Sequence, residues 1–509
     1  MADTFVWQRY NESICPIDAI AEGQFENQPG INGIAGATWC LLDDGTLEVS
    51  EGFINWSGLA SPWSDYRSDI YEIEFTGPIT AGTSLSNFFH SLENVTTIYG
   101  LEYFDTSRVT NMSGMFSWAS SLRELDLSSW DVSNVTTMGS FSIWDMSGMF
   151  SFTTSLTTLD VSTWDTSNVE NMNSMFWRTI SLTELDVSGW DTGNVVDMYA
   201  MFGTTGVRTL DVSNWDTSSV INMGWMFRYA TSLTNLDVST WDTSNVVTTV
   251  LMFYRTRSLT NLDVSNWDTS SVTNMHGMFL EARELTSLNP SNWDVSNVTS
   301  MSNMFRAAES LTELDLSNWD VSNVTNMSDM FSGIWGTNSS SLATLDLSNW
   351  DTSNVTDMSG MFGGTTSLRQ FVLPAGFSIA DDLDLPSVPQ DDGLTGYWQN
   401  VGSGTIDNPQ GEFIFTSAQL LSPSNPPVSD TWVWQPANQS TLTPRETLSQ
   451  LIAEAEARQQ SNYTPRSWAN MMSRLVMARS IYNNPNATEA QINEAITLLS
   501  AVLDDLVER

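Results

Sequence analysis

Leu182-Thr183-Glu184-Leu185-Asp186-Val187-Ser188-Gly189-Trp190-Asp191-Thr192-Gly193-Asn194-Val195-Val196-Asp197-Met198-Tyr199-Ala200-Met201-Phe202 is one copy of a block that fills the middle of this chain. Its general form is L-T-x-L-D-V-S-x-W-D-T-S-N-V-T-N-M-S-x-M-F. The Trp-Asp step recurs at Trp130, Trp164, Trp190, Trp215, Trp241, Trp267, Trp293, Trp319 and Trp350, and Phe104-Asp105 is a degenerate earlier copy. Most steps are 25 or 26 residues; two longer ones, of 34 and 31, carry insertions at 140–145 and 335–340. A period of this length predicts a mainly β solenoid of about ten coils. Each coil of a solenoid buries its apolar side only by stacking on its neighbours.

Within the quoted copy the inward positions are Leu182, Leu185, Val187, Trp190, Val195, Met198, Met201 and Phe202. The L-x-x-L-x-V spacing reads as the strand of a leucine-rich repeat. Where the standard repeat carries an Asn or Cys ladder, this one carries Trp, so a wider coil is expected. Val195 and Met198 predict a second short extended segment, and Met201-Phe202 close the core. The Trp side chains from Trp190 to Trp319 are expected in one buried column.

Four regions follow from the pattern. Residues 1–97 form an N-terminal capping region, in which Thr46–Val49 and Ile70–Phe75 read as strands. Residues 98–373 are the solenoid. Residues 374–440 begin as a linker rich in Pro and Asp and continue as a small β segment. There Asp430-Thr431-Trp432-Val433-Trp434-Gln435 echoes Asp3-Thr4-Phe5-Val6-Trp7-Gln8. Residues 441–509 read as a three-helix bundle. Thr443-Pro444-Arg445-Glu446 and Thr464-Pro465 start the first two helices, and Thr488 with Gln491 caps the third.

Composition narrows the function. The chain of 509 residues has 60 acidic and 18 basic side chains, a net charge of −42. All the basic residues are Arg. A nucleic-acid backbone would be repelled, as would an anionic membrane surface. No apolar run is long enough for a transmembrane span, so no membrane insertion is expected. No signal peptide or wall anchor is visible. Cys15 and Cys40 are too few for a disulfide scaffold; they form one bridge in an oxidising compartment or remain two buried thiols.

The repeat explains nearly every Ser and Asp, and the two His, His90 and His276, have no metal-ligand spacing around them. Catalytic and metal residues are therefore expected to be none, and no cofactor is expected. The Asp of each Trp-Asp step is read as a cap for its own turn. Ca²⁺ held between stacked Asp columns is the alternative. The Asn-x-Thr strings, such as Asn134-Val135-Thr136, read as repeat consensus rather than glycosylation sites.

The consensus relaxes just after each Met-Phe. There stand Trp177, Arg178, Arg228, Tyr229, Tyr254, Arg255, Arg257, Arg283 and Arg306, with only the Trp190 coil skipped. Stacked at one angle, these residues predict a basic, aromatic stripe on an acidic scaffold. Arg, Tyr and Trp carry much of the binding energy at interfaces. The competing reading is that the Arg stems cover the core edge and offset neighbouring carboxylates.

The block, with Leu-Asp-Val-Ser, Asn-Val-Thr-Asn-Met and Met-Phe, resembles the BspA-like leucine-rich-repeat surface proteins over residues 98–373. Tyr463-Thr464-Pro465-Arg466-Ser467-Trp468 and Asn484-Pro485-Asn486-Ala487-Thr488 are similar to the FIVAR module of extracellular bacterial proteins. The resemblance implies a non-enzymatic, extracellular or cell-surface protein that adheres to a host-surface protein or glycan. The alternative is a bacteriophage virion protein, at the virion surface as a host-binding element or structural spacer. Assembly into a larger surface or virion structure fits either setting.

Overall fold

The computed structural model describes residues 15–27, 33–140, 146–333, 340–374, 377, 383–391, 393–420, 428–437 and 444–507. The chain falls into two compact units: 1–368 with 377–386, and 369–376 with 387–509.

The first unit is a solenoid with two parallel ladders. One ladder runs through the L-x-x-L-x-V strand. Thr46–Val49, Glu72–Phe75 and Thr97–Tyr99 pair in parallel. The same position continues as Glu124–Asp126 with Thr158–Asp160, Thr209–Leu210 with Asn235–Leu236, and Glu313–Asp315 with Thr344–Asp346. The second ladder follows the Val and Met positions. It passes from Ser84 through Asn111, Thr137, Asn171, Asp197, Asn222, Thr248, Asn274, Ser300 and Asn326 to Asp357. Strand Gly52–Trp56 pairs in parallel with Ile79–Leu85 one step earlier, so coil geometry begins upstream of Ile98. Between the ladders the Phe rings from Phe116 to Phe362 stack at 5.2–6.0 Å with the rest of their column.

The tryptophans form one column, as expected. Trp190, Trp215, Trp241, Trp267, Trp293 and Trp319 are 1–3 % exposed, and neighbouring rings lie nearly parallel at 6.2–6.4 Å. Each indole N–H donates to a carbonyl of the preceding coil: Trp190 to Val161, Trp215 to Val187, Trp241 to Val212 and Trp267 to Val238. The indole thus fills space and satisfies a buried carbonyl at once, as a buried Trp needs.

The rest of the W-D-T-S-N string is equally accounted for. Asp242 Oδ1 accepts from the N–H and the hydroxyl of Ser244. Thr243 donates forward to the Asp268 carbonyl, and Asn245 donates back to the Ser218 carbonyl. The same set recurs at Asp268 and Thr269, with Ser271 at the Asn place donating back to the Ser244 carbonyl. Asn134 donates to the Ser107 carbonyl, which assigns the Asn of its Asn-x-Thr string to coil stacking. The Asp residues are therefore turn caps, the reading taken from the sequence.

At the N-terminal end Cys15 and Cys40 form a disulfide, with Cα atoms 5.6 Å apart, which settles the open choice between a bridge and two thiols. Asp3–Gln8 and Thr443 lie outside the described residues.

The second unit holds an antiparallel sheet and the helical bundle. Strand Asp430–Pro436 lies between Gln370–Leu373 and Leu394–Asn400, with Phe371, Trp398 and Trp432 buried. Helices Pro444–Ala457, Pro465–Tyr482 and Glu489–Asp504 pack around Leu448, Ile452, Met471, Leu475, Ile496 and Leu499. Thr464 caps the second helix with Pro465 behind it, and Thr488 with Gln491 makes a capping box on the third. No described helix is long and apolar enough to cross a membrane.

Candidate functional site

After each Met-Phe pair the chain makes tight turns that end in the left-handed region. The second residue past the Phe has positive φ in successive coils: Trp118 65°, Phe152 59°, Arg178 62°, Thr204 56°, Tyr229 59°, Arg255 62° and Glu281 52°. Its N–H donates to the residue before its counterpart in the next coil, as Arg178 does to Gly203, Thr204 to Arg228 and Arg255 to Leu280. These bonds hold a conformation that side-chain-bearing residues rarely adopt. They also put consecutive side chains in register along one edge.

The expected stripe therefore resolves into adjoining columns. Arg178, Tyr229 and Arg255 occupy the left-handed column. Trp177, Arg228, Tyr254 and Arg306 stand one residue before it, and Arg257 and Arg283 two residues beyond it. Trp177 departs from the expected exposed stripe. It is 7 % exposed, because its ring lies over Gly203 of the next coil, where an added Cβ would sit 2.1 Å from it. Trp177 is floor, not contact surface.

Trp225 and Tyr199, which the reading of the sequence passed over, complete the cluster. Trp225 packs on Trp177 at 6.0 Å and on Tyr199 at 5.3 Å. The Tyr199 ring in turn lies over Gly224, 3.2 Å from where a Cβ would stand. Both residues precede a Met-Phe pair, Tyr199 at the first x and Trp225 at the second x of M-x-x-M-F. Large rings at positions that several other copies fill with Ser, Gly or Asn were the available signal. The Arg228 guanidinium stacks on Trp225 at 3.9 Å and reaches the Tyr229 and Tyr254 rings at 5.1 and 5.6 Å. Arg178 lies over Phe152 at 5.1 Å.

The remaining Arg side chains meet carboxylates. Glu281 takes Arg255 at 2.7 Å, Arg257 at short range and Arg283 at 3.5 Å. Arg283 also faces Glu309 at 3.6 Å, and Arg306 faces Asp329 at 3.4 Å. Burial works against the Glu281 carboxylate, but Arg255 and Arg257 outweigh it and hold it below the usual range. Arg255 also donates to the Tyr229 hydroxyl at 2.9 Å, which donates to Tyr254 at 3.2 Å. Burial, then that bond, push the Tyr254 hydroxyl up to about 12. Burial likewise raises Tyr199. These phenols stay neutral donors at any physiological pH.

His276 lies half-buried beside this region, its Nδ1 2.7 Å from the Ser302 hydroxyl. Among the described residues no group of three or more His, Cys, Asp or Glu is placed to hold a metal ion.

A family model described as "Mycoplasma protein of unknown function, DUF285" matches residues 83–205, 144–261, 183–288 and 284–373, more than half of the chain. The chain belongs to that family. Its repeats are of the BspA-like leucine-rich kind. A FIVAR domain matches residues 445–507, the helical bundle. Among curated proteins, the zinc metalloprotease ZmpB of Streptococcus pneumoniae is 33 % identical over 61 residues. Those residues are 12 % of this chain and 3 % of that protein. A leucine-rich repeat protein from Eubacterium ventriosum matches at 14 % identity and a TM-score of 0.31, over 74 % of this chain and 99 % of that one. The Toll–Spatzle complex of Drosophila matches at 13 % identity and a TM-score of 0.21, over 68 % and 53 %. The DUF285 repeats and FIVAR are typical of bacterial surface proteins and fit an adhesion-type, repeat-scaffold role. The virion setting finds no support in these matches.

Proposed function

We propose that this chain is a non-enzymatic adhesion protein of the bacterial surface, and that its solenoid recognises a host-surface protein or glycan through the Arg–aromatic cluster. The observation that carries this reading is the way the cluster is built. Glycines at Gly203 and Gly224 receive the rings of Trp177 and Tyr199, and those rings support Trp225 and Arg228. A scaffold that needed only to stack would keep the small polar consensus there. Rigid aromatic rings and oriented guanidinium groups lose little freedom on binding. Replacing Arg228, Tyr229, Tyr254 and Arg255 together by Ser is expected to abolish attachment to host cells while the circular dichroism spectrum stays unchanged. A folded variant that attaches as well as the parent would make the cluster structural and the solenoid a spacer.

A further inference from the structure

On the flank built by the second ladder, each coil points one side chain outward just before the bridge position. Along most of the solenoid that residue is Thr: Thr110, Thr136, Thr273, Thr299, Thr325 and Thr356. Each of these hydroxyls donates to a carbonyl of the preceding coil. The same carbonyl takes the backbone N–H, as Thr273 does for Thr299 and Thr299 for Thr325. Three consecutive coils give up the hydroxyl bond. Val196, Ile221 and Val247 keep the N–H bond and the β-branched shape but have hydrocarbon where the hydroxyl would be. They are 40, 46 and 40 % exposed. Glu170 in the coil before and Thr273 in the coil after end the strip, which spans about 10 Å over its two coil steps.

The same three coils carry large side chains in the turn that follows. Tyr199 stands three residues past Val196, Trp225 four past Ile221 and Leu251 four past Val247. Trp225 packs on Tyr199 and carries the Arg228 guanidinium at 3.9 Å. Stacking alone does not ask for the strip, since a Thr there makes one more ladder bond per coil.

We propose that Val196, Ile221 and Val247, with Tyr199 and Trp225 of the same coils, form a docking face for a host-surface protein. That protein lays apolar side chains across the strip and sets a carboxylate against Arg228. The inference rests on the adhesion reading and decides between its two ligand classes. Aliphatic groups at the strip offer the hydroxyls of a sugar no hydrogen-bond partner, whereas apolar side chains of a protein gain by leaving water there. The rings of the cluster are also taken. Tyr229 and Tyr254 each have two guanidinium groups over the ring, and Trp225 has Arg228 and the Tyr199 ring. Arg228 has no carboxylate within ion-pair distance among the described residues, so a partner's carboxylate meets an unspent charge. A second copy of this chain fits less well, because each copy carries a net charge of −42.

The test measures attachment of the full chain to host cells that are untreated, stripped with trypsin, or oxidised with periodate, which cleaves sugar diols. Attachment is expected to be lost after trypsin and kept after periodate. The triple variant Val196→Thr, Ile221→Thr, Val247→Thr restores the repeat consensus. Its melting temperature is expected to equal or exceed that of the parent, because three ladder hydroxyls return. Its half-saturating concentration on untreated cells is expected to rise at least about tenfold. Thr299→Val with Thr325→Val, outside the three coils, is expected to attach as the parent does. A triple variant that attaches as tightly as the parent would overturn the proposal, as would attachment that survives trypsin and is lost to periodate. Sedimentation in which the parent dimerises and the triple variant does not would overturn it too, since the strip would then cover a second copy. The adhesion reading fails separately. If the triple variant attaches while the fourfold Ser variant does not, the strip is wrong and the cluster stands. If the parent attaches to no untreated host cell, the adhesion reading fails and the strip falls with it.

Discussion

At the scale of single residues, the polar consensus is a set of short, local commitments. Asp126, Asp186, Asp216, Asp263 and Asp268 each accept from a Ser hydroxyl and then a Ser backbone N–H two residues on, and both lower the carboxylate below its ordinary value of 3.8. A group lowered by folding contributes stability that is present above its unfolded value and is lost as pH falls through the folded one. The stability that these carboxylates contribute is therefore lost only below about pH 4. His276 answers in a different window. Burial holds its imidazole below the ordinary value of 6.5, with a hydrogen bond at Ser302 pulling the other way. Below about pH 6.5 the unfolded chain takes a proton that the folded one resists, so stability falls as the pH drops. His276→Ser, the residue found at Ser302 and Ser328 in later coils, removes that penalty. Its melting temperature relative to the parent is expected to be higher at pH 5 than at pH 7.5. An equal difference at both values would mean that His276 is protonated as easily folded as unfolded.

At the scale of the coil, the sequence is almost a complete description. The period, the inward Leu, Val, Met and Phe, the second extended segment and the Trp column could all be read before any coordinates, because stacked copies must repeat their contacts. What was not legible is where the first coil starts. Gly52, Ile79 and Phe104 occupy one ladder position, yet they share no residue type, so only the strand register relates them. The buried posture of Trp177 was equally hidden, since it depends on Gly203 in a different copy. Tyr199 and Trp225 stand before the Met-Phe pair, at positions whose size already varies from copy to copy, as at Val250, Leu251 and His276, so no single departure from the consensus marked them. The Trp column couples coils most directly. Trp241 faces Trp215 at 6.4 Å, Trp267 at 6.2 Å and Phe227 at 6.3 Å, and bonds the Val212 carbonyl at 3.1 Å. Trp241→Ala removes those contacts and leaves a buried carbonyl unpaired. It is expected to cost about 3–5 kcal/mol in denaturant unfolding. Amide exchange should quicken in the Trp215 and Trp267 coils first, since a solenoid transmits a defect to its nearest neighbours. A cost near zero would mean that the Phe column alone holds the coils together.

At the scale of the whole molecule, the dominant fact is charge. A net −42 spread over 509 residues makes the folded chain repel itself, and only seven ion pairs offset it among the described residues. Salt screens repulsion between exposed charges over a Debye length of about 10 Å at 0.1 M, longer than the step between coils. The melting temperature is therefore expected to rise as NaCl increases from about 0.02 M to about 0.5 M. Calcium offers a sharper test of the Asp columns. In these caps one carboxylate oxygen, Oδ1, is already engaged, by Ser at Asp242 and Asp268 and by the Gly193 N–H at Asp191. Ca²⁺ prefers six to eight oxygens and gathers them from flexible carboxylates. Columns of fixed, singly available oxygens favour diffuse screening instead. Millimolar CaCl₂ and NaCl at matched ionic strength are thus expected to give the same melting temperature, with chelator making no difference. A rise specific to calcium would show that the free Oδ2 atoms of successive coils converge on an ion, and the Asp columns would then be ligands as well as caps.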